Sequence, residues 1–206
     1  MKIVIVDYGL GNLKSVYNAF RRIGQNPAVS ENSEDIRNAD KLVLPGVGHF
    51  KQGMKNLAEQ GLIDELHEHV LVQKKPILGI CLGLQLFTSY SDEGECAGLQ
   101  YISHTTKRFA GRPEMSSLKI PHMGWNTVTG GGREGIMNGV TDDDAFYFVH
   151  SYYIEPNETD SVSGITGYGL PFVSVVQQDN IYGTQFHPEK SHDPGLKLLK
   201  NFCEGA

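Results

Sequence analysis

Cys81 stands at the centre of Gly79-Ile80-Cys81-Leu82-Gly83, between the apolar run Pro76-Ile77-Leu78 and a helix-like segment, Leu84-Gln85-Leu86-Phe87. Glycines two positions either side of a nucleophile let a strand turn sharply into a helix, which lifts the side chain out at the top of a sheet. The position suits a thiolate, because a helix N-terminus carries partial positive charge and turns free N–H groups toward the sulfur. A small buried cysteine at a tight strand–helix junction would read the same way, so the assignment needs a second group. Gln185-Phe186-His187-Pro188-Glu189-Lys190-Ser191, at the end of the last β-like run, supplies it. A cysteine nucleophile requires a base that holds it as thiolate and later protonates the leaving group, and histidine is tuned for both near neutral pH. His187 and Glu189 are two residues apart, so at a strand end they lie on one side and the carboxylate can orient the imidazole. Pro188 restrains the backbone between them.

A third segment, Pro45-Gly46-Val47-Gly48-His49-Phe50, follows another β-like run. Acyl transfer from an amide creates an oxyanion, which backbone N–H groups can stabilise. The natural pair of donors is the N–H of Leu82, directly after the nucleophile, and one from Gly46, Val47 or Gly48. Alone, this segment would read as an ordinary strand-to-helix turn.

The elements that must bring these pieces together are legible as alternating periodicities. Ile3-Val4-Ile5-Val6 is a continuous β-rich run, expected for a strand buried on both faces of a parallel sheet. Leu13, Val16, Tyr17, Phe20 and Ile23 fall at helical spacing, and Gly24 ends that helix. Further strands are expected at Pro27-Ala28-Val29, at Leu42-Val43-Leu44, closed by Pro45, and at Ile77 to Ile80. Helices are expected around Phe50, Met54 and Leu57, and from Leu62 to Val72. In the second half, short β-like runs at Tyr147-Phe148-Val149, Ser161 to Thr166, Phe172 to Val176 and Ile181 to Gln185 predict antiparallel strands extending the sheet, before a helix from about Pro194 to Phe202. The expected fold is α/β, a mostly parallel central sheet flanked by helices with an antiparallel extension, in one domain over residues 1–206.

Composition narrows the function classes. A net charge of -6 and the lack of any basic cluster argue against a nucleic-acid binder. No apolar run approaches membrane-spanning length, and the N-terminus does not read as a secretory signal. Cys81, Cys96 and Cys203 are odd in number and widely spaced, which suits neither a disulfide framework nor a zinc site and points to a reducing cytoplasm. Gly9-Leu10-Gly11 follows the first strand, but Lys14 replaces the third glycine of a dinucleotide loop, so no cofactor is expected. His67 and His69 are two apart in a helical stretch and point in different directions, which predicts a solvated face and no metal. Cys96 and Cys203 read as incidental. Met123 and Trp125 read as a surface that meets a partner, and His150 as a structural histidine beside the substrate pocket.

Taken together, the Pro45–Gly48 loop, the Gly79–Gln85 elbow and the final Phe186-His187-Pro188-Glu189 resemble the class I (triad) glutamine amidotransferases. Within that family, four stretches resemble the glutaminase subunits of imidazole glycerol phosphate synthases. They are Asp7 to Val16, Pro121 to Asn126, Phe148 to Tyr152 and Gln185 to Ser191. The likeness covers essentially the whole chain, in the family's order. It implies that Cys81 is the nucleophile, His187 the base and acid, and Glu189 its orienting partner. It implies that Gln85 and the backbone around Ser151 and Tyr152 hold the amino-acid end of L-glutamine, and that Pro45 to Gly48 form a mobile oxyanion strand. It further implies a heterodimer with a (β/α)8-barrel cyclase subunit that takes up the ammonia, met through Asn12, Trp125 and Lys190. Three other readings compete: a paralogous glutaminase that supplies ammonia for amidating a surface-polysaccharide or nonulosonic sugar, a catalytically silent regulatory subunit, and a stand-alone cysteine peptidase or redox sensor. The intact Cys81, His187 and Glu189 argue against the second, and the glutamine-pocket and partner-face motifs have no job in the third.

Overall fold

The structure, a computed structural model, describes residues 1–130, 134–157 and 161–205. Strand and helix alternate through the first half: β1 (Ile3–Val6), α1 (Leu13–Arg22), β2 (Ala28–Ser30), α2 (Ser33–Arg37), β3 (Lys41–Gly46), α3 (Phe50–Glu59), α4 (Leu62–His67), β4 (Ile77–Cys81) and α5 (Leu82–Leu86). Short strands follow as β5 (Tyr90–Ser91), β6 (Cys96–Ala97), β7 (Thr105–Arg108) and β8 (His122–Thr127). The chain then forms β9 (Ala145–His150), β10 (Tyr152–Ile154), β11 (Val162–Tyr168), β12 (Leu170–Gln178), β13 (Ile181–Thr184) and α6 (His192–Gly205).

Successive side chains of a strand leave on opposite faces, so an all-apolar strand must be covered on both. Ile3 and Ile5 of β1 pack with Val16 and Phe20 of α1 and with Leu198 and Phe202 of α6. Val4 and Val6 pack on the other face, with Ile36 of α2, Leu57 of α3 and Leu66 of α4. The central sheet runs β2-β1-β3-β4-β13-β12-β10-β7-β5-β6, with β11 paired to β12. Its first five strands are mutually parallel. The register sets Gly46 beside Cys81 and Thr184 beside Ile80. The carboxyl ends of β3, β4 and β13 therefore finish level, and the segments leaving them, 47–48, 82–86 and 185–189, converge at one edge. That edge is where open parallel sheets bind ligands.

Four expectations need correction. β3 does not close at Pro45; it continues through Gly46. The β1 ladder ends at Val43, so beyond it β3 is paired on one side only, where a strand tolerates proline. β13 joins the antiparallel set only on its β12 side; on its other side it pairs parallel with β4 and so closes the parallel half of the sheet. β9 does not extend the sheet. It pairs with β8 in a separate two-stranded sheet and lays Phe146, Phe148 and His150 onto the core, because an alternating pattern specifies which face is buried and not which strand is the neighbour. His69 is not on a solvated face: it is fully buried, and Nε2 donates to the Pro76 carbonyl at 3.3 Å. After α4 the helix widens into a π turn, Glu68–Val72, which changes the angle per residue and rotates His69 inward. Asn180 Nδ2 takes the Val70 carbonyl at 2.9 Å and the Lys75 carbonyl at 2.8 Å, closing the turn against β13.

Burial pushes His69 down to about 4, His122 to about 4 and His150 to about 3. All three fold as neutral rings. Below the ordinary histidine value of about 6.5, the unfolded chain binds protons that the folded chain refuses, so stability is full above that pH and declines as pH falls. Denaturant titrations between about pH 7 and pH 4.5 will show this decline, and His69→Asn will flatten it, because one refused proton is removed.

Candidate active site

Cys81 is the last residue of β4 and the cap of α5, with φ 54° and ψ −106°. A non-glycine residue in such a region costs on the order of 1–3 kcal/mol and persists only where its surroundings enforce it. The two glycines of the elbow are the enforcement. A Cβ on Gly83 would collide with the Leu44 carbonyl oxygen of β3, and one on Gly79 would come within 2.7 Å of Leu84 N and of Phe87 Cε2. Without side chains at either point, α5 lies directly on the sheet and the backbone at Cys81 has nowhere else to go. Gln185 Nε2 approaches Sγ at 3.7 Å, and Sγ lies 3.9 Å from the Val149 carbonyl oxygen.

His187 and Glu189 come together as the spacing predicts: Nδ1 is 2.8 Å from Oε1, and both side chains are 1% exposed. The His187 backbone is held at both ends, its N–H donating to the Tyr147 carbonyl at 2.9 Å and its carbonyl accepting from Ser191 Oγ at 2.6 Å. Nε2 is buried without a hydrogen bond, and Cys81 is near enough to act on the charge of the ring. Burial opposes that charge, but the Cys81 thiolate and the Glu189 carboxylate together outweigh it and raise the His187 pKa to about 10. The His187 ring is thus held as an imidazolium beside the Cys81 sulfur, with the carboxylate behind.

A cleft of about 280 Å³ opens over the sulfur, at the small end of ligand pockets and sized for a metabolite. Val47, Gly48, Leu82, Gln85, Ser151 and Tyr152, all singled out in the sequence, line it. Gly46 does not. It lies beneath, and the Tyr8 hydroxyl and Leu82 Cβ fill the space a side chain would need. Gly48, at φ +116°, takes a backbone conformation that only glycine adopts easily. Gln85 Nε2 donates to the Tyr152 carbonyl at 3.0 Å and to Gln185 Oε1 at 2.9 Å, which uses both amide hydrogens and leaves Oε1 as the group still able to bind a ligand.

Sequence reasoning missed one residue of the cleft wall, Glu93, and two residues packed close to the site, Gln185 and Tyr8. Gln185 sits inside a recognised motif, but its contact with Cys81 depends on the β4–β13 register. Tyr8 is fully buried with its hydroxyl unpartnered, and the Cys81 charge combines with burial to push its ionisation far upward. Glu93 lies in a stretch with no motif. Its carboxylate accepts from Phe50 N–H at 2.8 Å and faces the cleft, and burial raises its pKa.

The residues read as a partner face divide. Trp125 is half exposed and stacks on His192 with ring centroids 5.1 Å apart, and Lys190 lies over the Tyr147 ring at 5.7 Å, beside Trp125. Asn12 has a local task, its Oδ1 accepting from Ser15 N–H at 3.4 Å to cap α1. Cys96 and Cys203 are free thiols that do not line the cleft, and burial pushes Cys203 up to about 11. Among the described residues, no cluster of His, Cys, Asp and Glu is arranged to hold a metal ion, and no helix is long and apolar enough to cross a membrane.

The family model for class-I glutamine amidotransferases matches residues 4–206. The chain belongs to that family. It is 50% identical over 202 residues to imidazole glycerol phosphate synthase subunit HisH 1 of Campylobacter jejuni, covering 98% of each chain. It is 45% identical over 202 residues to subunit HisH 2 of Pseudomonas aeruginosa, again covering 98% of each. A solved glutamine amidotransferase, 19% identical, superposes with a TM-score of 0.71 over 97% of this chain and 98% of that one, which shows the shared class-I amidotransferase fold. The sheet and its antiparallel flank therefore match what the sequence led us to expect of an amidotransferase.

Two outcomes follow from the charge arrangement. A thiol-directed electrophile will label Cys81 well ahead of Cys96 and Cys203, as peptide mapping will show, and equal labelling of all three would remove Cys81 from its assigned place. In Cys81→Ala the imidazolium loses the thiolate that supports it, so NMR titration will find the His187 pKa below its value of about 10 in the intact chain.

Proposed function

We propose that this amidotransferase is a glutaminase subunit that hydrolyses L-glutamine to glutamate and ammonia through a thioester on Cys81. The single observation that carries the reading is the buried Cys81–His187–Glu189 array, whose sulfur lines a metabolite-sized cleft. The Cys81 thiolate attacks the carboxamide carbon. Negative charge moves to the carbonyl oxygen, which the N–H of Leu82 and one from the Val47–Gly48 segment receive. His187 then gives its Nε2 proton to the departing nitrogen, so the carbon–nitrogen bond breaks with ammonia as the leaving group. A water enters, passes a proton to His187 and attacks the thioester; glutamate leaves and the thiolate is restored. Glu189 keeps the ring oriented throughout, and no cofactor is needed. At the other end of the cleft, Gln85 Oε1 and the Glu93 carboxylate are acceptors suited to an α-ammonium group, while the backbone at Ser151 and Tyr152 completes the grip.

The named relatives support histidine biosynthesis as the setting, and three unpaired cysteines fit a reducing cytoplasm. There the ammonia would pass to a (β/α)8-barrel cyclase subunit docked on the face around Trp125 and Lys190, yielding imidazole glycerol phosphate and AICAR. The numbered names of the relatives point to organisms with more than one such subunit, and this favours one second reading: a paralogue that feeds a sugar-amidating partner. Rescue of a histidine auxotroph lacking its own glutaminase subunit separates the two. Growth supports the first reading, and failure alongside normal glutaminase activity supports the second.

Cys81→Ala will abolish glutaminase activity while added ammonia still supports synthesis by the complex. His187→Ala will lose roughly 10²–10⁴-fold, and Glu189→Gln less. Turnover near normal in both would move the base elsewhere. A further measurement addresses control. Gly48 allows the peptide next to it to turn either its carbonyl or its N–H toward the oxyanion, and one missing donor costs about 10²–10³ in rate. Glutaminase rates should therefore rise from the subunit alone, to the complex, to the complex with acceptor nucleotide, and equal rates in all three would refute this gating.

A further inference from the structure

β8 and β9 carry two histidines that the reaction does not use. His122 and His150 are opposite each other in the ladder, both buried, among the rings of Phe109, Phe148, Tyr168 and Phe172. Their hydrogen bonds can be directed one by one. His150 Nδ1 is 2.7 Å from the Tyr152 carbonyl, which can only accept, so Nδ1 carries the proton. A neutral His150 then offers a lone pair at Nε2, and His122 Nδ1, 3.0 Å away, must donate to it. By the same step His122 Nε2 accepts from Asn126 Nδ2 at 3.3 Å, and the other Asn126 amide hydrogen goes to the Gly167 carbonyl at 3.0 Å. The result is a one-way chain from Asn126 through His122 and His150 to Tyr152. Its last acceptor is the same carbonyl that receives Gln85 Nε2 at 3.0 Å, and Gln85, His150 and Tyr152 all line the cleft.

We propose that His122 and His150 are positioning residues: their relay fixes the Tyr152 peptide, and with it the Gln85 amide, in the orientation that grips the amino-acid end of glutamine. This rests on reading the cleft as a glutamine site. Both ring nitrogens of His150 are committed, which removes it as an alternative base. Charging it would place a second proton, on Nε2, against the His122 Nδ1 proton, so the bonds through His122 to Asn126 would have to reverse while Nδ1–H still donates to Tyr152. The charged or titratable groups that face it, His122 and His187, both oppose that charge.

The relay can be tested without assuming the reaction. In the full chain, long-range ¹H–¹⁵N spectra should show both rings as Nδ1–H tautomers that do not titrate between about pH 5 and 8. An Nε2–H tautomer or a titration in that range would overturn the relay. The function of the relay is read from inactivation by 6-diazo-5-oxo-L-norleucine, a glutamine analogue that alkylates the reactive cysteine. Saturable labelling of wild-type Cys81 checks the glutamine reading by itself; its absence would fault that reading, whatever the spectra show. Given labelling, His150→Leu should raise the half-saturation concentration by about tenfold, the worth of one buried hydrogen bond, with the limiting rate within about threefold. His150→Asn, which keeps a donor near Nδ1, should recover most of that loss, and His122→Leu should reproduce it in part. A fall confined to the limiting rate, or His150→Asn no better than His150→Leu, would overturn the positioning role.

Discussion

The contact on which the site depends is the approach of the α5 backbone to β3 through the missing side chain of Gly83. With the Leu44 carbonyl occupying the place of a Cβ, the helix sits as low as its backbone allows, and the turn before it has one residue in which to reverse. That residue is Cys81, whose left-handed backbone is a consequence of the packing below it. Gly183 of β13 lies under Leu84 in the same way and lets the neighbouring strand come level. The sheet register then does the rest. Because β3, β4 and β13 end together, one helix seated low on the sheet brings the Cys81 sulfur, the His187 ring and the backbone of residues 47–48 to one edge without any long connection.

Two buried histidines near the sulfur illustrate how surroundings decide protonation. His187 and His150 are both removed from water, and burial alone would discharge both. His187 is matched by a thiolate and a carboxylate, and its pKa is raised to about 10. His150 has a carbonyl and another neutral ring as partners, and its pKa falls to about 3. One position therefore holds a proton ready to give, while the other holds a tautomer fixed.

The geometry of the candidate site was legible where its pieces are local. Gly79 and Gly83 flank Cys81 within five residues, and His187 and Glu189 are two apart, so spacing alone states their geometry. What the sequence left unread depends on long-range register. Nothing near Glu93 or Tyr8 announces a cleft, since they arrive from β5–β6 and from the end of β1. Tyr147-Phe148-Val149 displayed the correct buried face, but alternation carries no label for the neighbouring strand, so β9 was expected in the wrong sheet. His69 was misplaced because a π turn breaks the 3.6-residue count on which any helical wheel relies. Pro45 reads as a stop only if both edges of its strand are paired.

Trp125 is the sole tryptophan of the chain. It is half exposed and stacked nearly parallel on His192, 7° from coplanar. All indole emission of the molecule thus originates on the face around Lys190 and Tyr147. The protein carries its own optical reporter there, whose colour follows the wetting of that surface. Any molecule that covers that face can be followed in real time with no attached dye, provided it has no tryptophan of its own or its signal is subtracted.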